Sequence, residues 1–245
     1  MVLTKREVGQ FIIAVIVLGL VLGFNDPSEV FQFSYWLTNY LIVAAVAAII
    51  LFLYIIMQKC MAASRGAETQ FQIWSMHRYG LKRDKILKQG IPVGVIIPLI
   101  VTIVTLGRIA CGAVASSHVQ TNERLRFGRK LQEITDFEKA MILAAGPYTA
   151  MIISVIMPMF DPSSFALLFK KAGLVLAISN MLPLPGLDGM KIFLSSPALY
   201  IFSVVLIISA GYFMTVLGTG IALLIAGMLA CMLLICFWLF VIYKK

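Results

Sequence analysis

GIPVGVIIPLIVTIVTLG, residues 90–107, is apolar enough to enter a bilayer, yet basic sequence flanks it on both sides. Lys82, Arg83, Lys85 and Lys88 precede it; Arg108, Arg124, Arg126, Arg129 and Lys130 follow. Whether it crosses decides the fold, because a crossing would put half of these charges on the far side, against the tendency of Lys and Arg to gather on the cytoplasmic face. Gly90, Pro92, Gly94, Pro98 and Gly107 are helix breakers, so the stretch is expected to dip in and return as a re-entrant loop of irregular backbone buried against protein. Its flanks, AETQFQIW (67–74) and RIACGAVASSHVQ (108–120), alternate and carry β-formers, which predicts short strands.

Outward from this loop the chain is almost wholly apolar. Hydrophobic residues make up 61% of its 245 residues and charged ones 13%, about half the usual share of a soluble domain. With mean hydropathy of +0.98, the composition excludes an ordinary soluble enzyme and predicts an all-α membrane protein with a single membrane-embedded domain over 1–245. Apolar runs long enough for helices lie at about 10–25, 36–58, 137–159, 165–184, 198–217 and 220–242, which predicts about six transmembrane helices. No small-residue cleavage site precedes Asn25 and Asp26, so the first run is expected to be a retained span. Lys5 and Arg6 precede that run and only Asp26 and Glu29 follow it, which places the N-terminus in the cytoplasm. Two spans then return the chain to the cytoplasm for 59–136, and four more return the C-terminus with Lys244 and Lys245.

The net charge of +9 sits between the spans, so it orients the protein and does not mark a nucleic-acid surface. Cys60, Cys111, Cys231 and Cys236 form no CxxC pair and are expected as buried packing residues. Met57, Met61, Met151, Met157 and Met159 are expected to fill gaps between helices, and Lys170 and Lys171 to snorkel to the interface at the start of the fourth span.

Two further stretches, AAGPYTAM (144–151) and NMLPLPGLDGMKIF (180–193), resemble the second and third signature motifs of the site-2 protease family, the intramembrane zinc metalloproteases of peptidase family M50, in its archaeal branch. The likeness runs through TKREV before the first span, RGAETQFQIW, the 90–107 loop, GRKL ahead of DFEKAMILAAGP, and SSPALYIF. It implies a site-2-protease-like fold, with zinc held by two histidines of an H-E-x-x-H motif on the second span and by the aspartate of the third motif. Histidines four apart share one helix face, and the glutamate beside the first reaches the metal-bound water. On this resemblance Asp188 matches the third ligand, and Gly146, Pro147, Asn180, Pro183 and Gly189 are motif residues.

The departures are in the catalytic positions. Counting back from Gly66, the H-E-x-x-H motif falls on YIIMQ, so Tyr54 and Gln58 stand at the histidines and Ile55 at the glutamate; Lys59, which often follows the motif in archaeal members, is kept. Ala150 stands where the second motif commonly has an asparagine that contacts the substrate strand. His77 and His118, the two histidines of the chain, flank the loop as solvated residues, and Cys60 lies about 200° round the helix from the 54/58 face. One carboxylate does not retain zinc, so the cofactor of the family is predicted lost. Asp188 is expected to accept hydrogen bonds from Tyr54 and Gln58, tying the second span to the fourth, while Gly146, Pro147, Pro183, Pro185 and Gly186 serve close packing and a tight turn.

The reading is therefore a catalytically inactive pseudoprotease in the cell membrane, with both termini cytoplasmic, acting as a binding or structural subunit beside other transmembrane proteins. An active metalloprotease with a non-standard metal site is the first alternative. A small transporter or channel subunit is the second; it would need more polar residues along the spans than this chain has.

Overall fold

A computed structural model describes residues 3–24, 32–78, 86–121, 134–160, 163–216 and 219–243. The chain starts with α1 (Lys5–Leu22), whose first turn is closed by a capping box: the Thr4 hydroxyl accepts the Glu7 N–H while the Glu7 carboxylate accepts the Thr4 N–H. α2 (Phe33–Ser64) follows and, after Gly66 at φ +68°, turns into β1 (Ala67–Ile73). A small hairpin, β2 (Met76–Arg78) with β3 (Ile86–Ile91), leads to α3 (Val93–Val104). β4 (Ala115–Thr121) then runs antiparallel to β1, with Ser117 opposite Phe71. Five helices complete the chain: α4 (Asp136–Phe160), α5 (Ser164–Asn180), α6 (Asp188–Ser195), α7 (Pro197–Val216) and α8 (Thr219–Tyr243).

The protein is mostly helical, and among the described residues four helices are long and apolar enough to cross a membrane: α2, α4, α7 and the 220–237 part of α8. The other two expected spans fold as α1 and α5. The 18 residues of α1 include Lys5, Arg6 and Glu7, and α5 has 17 residues, about 26 Å at 1.5 Å per residue. α2 and α4 form the inner pair, with α1, α5 and β1 against α2. In the most apolar stretch of α4, 56% of residues are buried inside the protein, against 17% in the 220–237 part of α8, which turns most of its side chains away from the other helices.

Small residues set the inner helix spacing. A Cβ on Gly146 would lie 2.4 Å from the Tyr54 ring, so the tyrosine fills the space that this glycine vacates. A Cβ on Gly173 would lie 2.6 Å from the Ala150 carbonyl oxygen, so the glycine lets α5 pack directly on the α4 backbone.

Several sequence expectations need correction. The 90–107 stretch is not irregular throughout, because α3 is a 12-residue helix that contains Pro98 and gives up only one early rung there. Gly94 is present for close approach: its N–H donates to the Trp74 carbonyl at 2.8 Å, and a Cβ would lie 2.7 Å from the Val114 carbonyl oxygen. The breakers that act are Leu106 (φ 51°) and Gly107 (φ 75°), which end the helix. The first flank is β1 as read, but the second becomes strand only at Ala115, since the Gly112 N–H is taken by the Ser179 hydroxyl at 2.9 Å. The β2–β3 pair was not foreseen, its residues lacking an alternating apolar pattern. Cys231 and Cys236 are exposed on α8, and Cys60 and Cys111 are half-buried. Met151 is buried, but Met57, Met157 and Met159 face outward, where lipid solvates a thioether as well as protein does. Lys170 does not snorkel: its ammonium donates to the Met214 carbonyl at 2.7 Å, capping the last turn of α7.

Candidate functional site

The residues that the sequence singles out converge at one buried point. Positions 54 and 58 share a face of α2, and both side chains are turned toward the first residue of α6. Asp188 is carried there by a turn in which Gly186 adopts φ +93° and the Pro185 carbonyl accepts the Trp74 indole N–H at 2.8 Å. Gly189 lets α6 sit hard on the end of α5, since a Cβ would lie 2.5 Å from the Met181 carbonyl.

At that point the carboxylate is fully buried and accepts three hydrogen bonds. Its Oδ2 accepts the Tyr54 hydroxyl at 3.0 Å and the Gln58 amide at 3.2 Å, and its Oδ1 accepts the Ser117 backbone N–H at 2.8 Å. The Lys191 ammonium lies 3.8 Å from Oδ1 and donates to the Ser116 hydroxyl at 2.7 Å and the Ser117 carbonyl at 2.8 Å. Gln58 is held in one orientation, because its NH2 also donates to the Leu143 carbonyl at 3.0 Å while its oxygen accepts the Ser117 hydroxyl. The Ser116 hydroxyl passes on to the Gly186 carbonyl at 2.7 Å. An ionised carboxylate is very costly to bury alone, and this shell of donors with one ammonium offsets the cost.

The tie reaches further than expected. Asp188 joins α2 to β4 and to its own helix, not simply one span to another. Ile55 is buried in the apolar core, Ala150 is fully buried against α5, and Pro183 is exposed on the turn. Asn180 is fully buried with neither amide atom hydrogen-bonded, so the motif position is occupied without joining the network. His118 is exposed on β4, and the His77 side chain lies outside the described residues. Among the described residues, no three His, Cys, Asp or Glu side chains come together. The donor set at the site does not suit zinc: a tyrosine and an amide stand at the histidine positions, and both donate to the Asp188 oxygen that would face the metal.

Sequence reasoning missed Ser117, Ser116, Lys191 and a second buried carboxylate, Glu7. Lys191 was within reach, three residues after Asp188 on one helix face, and Glu7 completes a T-x-x-E capping signature. Ser117 carries no local signal, since its partner is 71 positions away.

Glu7 closes the opposite side of the same ribbon. Its Oε1 accepts the Phe71 backbone N–H at 2.9 Å and the Lys59 ammonium at 2.8 Å. Phe71 and Ser117 face one another across the strands. Their N–H groups therefore point to the two outer edges, and each is stopped by a buried carboxylate with a lysine beside it.

No family model, curated relative or solved structure matches this chain.

Proposed function

We propose that the protein is a site-2-protease-like pseudoprotease, a membrane scaffold that binds other transmembrane proteins and does not cleave them. The observation that carries this reading is that Tyr54 and Gln58, at the two histidine positions, donate to Asp188, where the family would have ligands sharing a metal with it. In an active metalloprotease the corresponding carboxylate would face a metal and two imidazole ligands in place of these donors, with a base beside them. Ile55 offers no proton acceptor, and losing two ligands and the base removes the metal-assisted route. What is left is a rigid junction of α2, β4 and α6 suited to holding a partner segment, the general use of a strand edge beside a groove.

In this reading α1 and α5 complete a set of six spans with both termini cytoplasmic. The α3 helix, about 18 Å long at 1.5 Å per residue, falls well short of the ~30 Å hydrocarbon core, which supports a re-entrant segment. Cysteines introduced at positions 85 and 125 should both label from the cytoplasm; labelling of only one would reverse that topology. For the function, the purified protein should leave single-span membrane proteins intact while retaining a partner through mild detergent extraction. Cleavage by the wild-type chain that Asp188→Ala abolishes, with unchanged melting temperature, would overturn the proposal.

A further inference from the structure

Arg108 belongs in sequence to the basic flank of the 90–107 stretch, but the fold places it just past the far end of α3, on an apolar tip. Its side chain is exposed and makes no hydrogen bond or ion pair among the described residues. Ile103, Val104, Leu106 and Ile109 around it are 60–76% exposed. We propose that Arg108 binds the phosphate of a lipid in the leaflet far from the cytoplasm, and so moors the tip of the re-entrant segment. The choice of leaflet rests on the topology given above; the choice of phosphate does not.

Three observations meet here. First, the backbone that carries the cation is fixed. Leu106 and Gly107 reverse the chain, the Gly107 N–H donates to the Thr102 carbonyl at 2.8 Å, and Thr105 holds the next two residues: its carbonyl accepts the Arg108 N–H at 3.0 Å and its hydroxyl accepts the Ile109 N–H at 3.3 Å. Second, α3 has the length to bring the tip to the far interface. It begins level with the Asp188 junction, since the Gly94 N–H donates to the Trp74 carbonyl and the Trp74 indole to the Pro185 carbonyl. Tyr54 in that junction lies about 21 Å along α2 from Tyr40, whose ring stacks on Trp36 at 5.8 Å between centroids, an aromatic pair of the kind that marks a membrane interface. α3 covers about 18 Å of that distance, running beside α1 with its Gly94, Pro98 and Thr102 face buried from end to end. An extended arginine side chain spans the remainder. Third, the chemistry selects phosphate. Arginine stays protonated in lipid, an unpaired one is costly there, and the planar guanidinium matches two phosphate oxygens at once.

The test releases the full-length protein from nanodiscs of mixed phosphatidylglycerol and phosphatidylcholine and counts retained lipids by native mass spectrometry. The wild type should retain phosphatidylglycerol about fivefold over phosphatidylcholine at one site, Arg108→Gln should lose that preference, and Arg108→Lys, which keeps the charge but not the planar fork, should keep part of it. Inorganic phosphate should not compete, because the tip around Arg108 is apolar. A benzoylphenylalanine at Val104, in proteoliposomes of one orientation, should capture phosphatidylglycerol placed in the far leaflet. Equal preference in the wild type and Arg108→Gln, competition by inorganic phosphate, capture of a protein alone, or capture of lipid only from the cytoplasmic leaflet would overturn the proposal. The topology fails separately: if positions 85 and 125 label from opposite sides, the segment crosses the membrane, while the lipid count still decides whether Arg108 holds a phosphate.

Discussion

Two buried carboxylates close the two edges of one β-ribbon at the same rung, and they do it with different chemistry. Glu7 meets Phe71 on the α1 side, and Asp188 meets Ser117 on the α6 side. Glu7 adds a close ion pair to the Thr4 and Phe71 N–H groups that it accepts: Lys59 makes contacts of 2.8 and 3.0 Å to its two oxygens, and the Lys59 side chain is only 14% exposed. Asp188 has no such close cation: its close donors are a phenol, an amide and a backbone N–H, and its lysine stands off at 3.8 Å with other partners. A buried carboxylate therefore need not mark chemistry; the surrounding donors decide whether it is free to act.

The largest effect is expected at the charge-dependent edge. Glu7→Ala strands a mostly buried ammonium and an edge N–H, and should cost about 3–5 kcal/mol, the range for breaking a buried pair. Glu7→Gln should recover little of it, since the amide keeps the shape and not the charge. Asp188→Ala should cost about 1–3 kcal/mol through unpaired Tyr54 and Ser117 donors, and Asp188→Asn should recover part, because one oxygen still accepts the Ser117 N–H. Thermal melts in detergent of all four variants test the comparison. Equal rescue by both amides would erase the distinction between the two edges.

Smaller effects sharpen the Asp188 side. Gly146→Ala would press a methyl group into the Tyr54 ring and should cost about 1–3 kcal/mol by overpacking. If it proves neutral, the tyrosine is not wedged against α4. Tyr54→Phe removes one of three close donors to Asp188 and should cost about 1 kcal/mol, measured as the shift in melting temperature. A gain in stability would mean that the phenol is not satisfied by the carboxylate.

The legible part of this architecture is the part written in local patterns. Long apolar runs locate α2, α4, α7 and α8 because a bilayer demands helices there, and the spacing of Tyr54 and Gln58 puts them on one face by helical geometry alone. The illegible part depends on distant partners. Gly94 and Pro98 read as breakers when the deciding fact is the Trp74 backbone against which Gly94 packs. Lys170 reads as an interfacial lysine until the end of α7 is folded against it. Ser117 looks like any strand serine until register sets its N–H toward Asp188. The fate of Asn180, buried and unpaired, has no sequence signal at all.

The claim on which the account rests is that Asp188 is spent on the fold and holds no metal. The direct measurement is zinc content and zinc titration of the purified full-length protein, read by elemental analysis together with melting temperature. The account predicts far less than one zinc per chain and no rise in melting temperature on adding zinc, because a ligand that binds only the folded state would raise it. One zinc per chain that raises the melting temperature and disappears in Asp188→Ala would contradict the account.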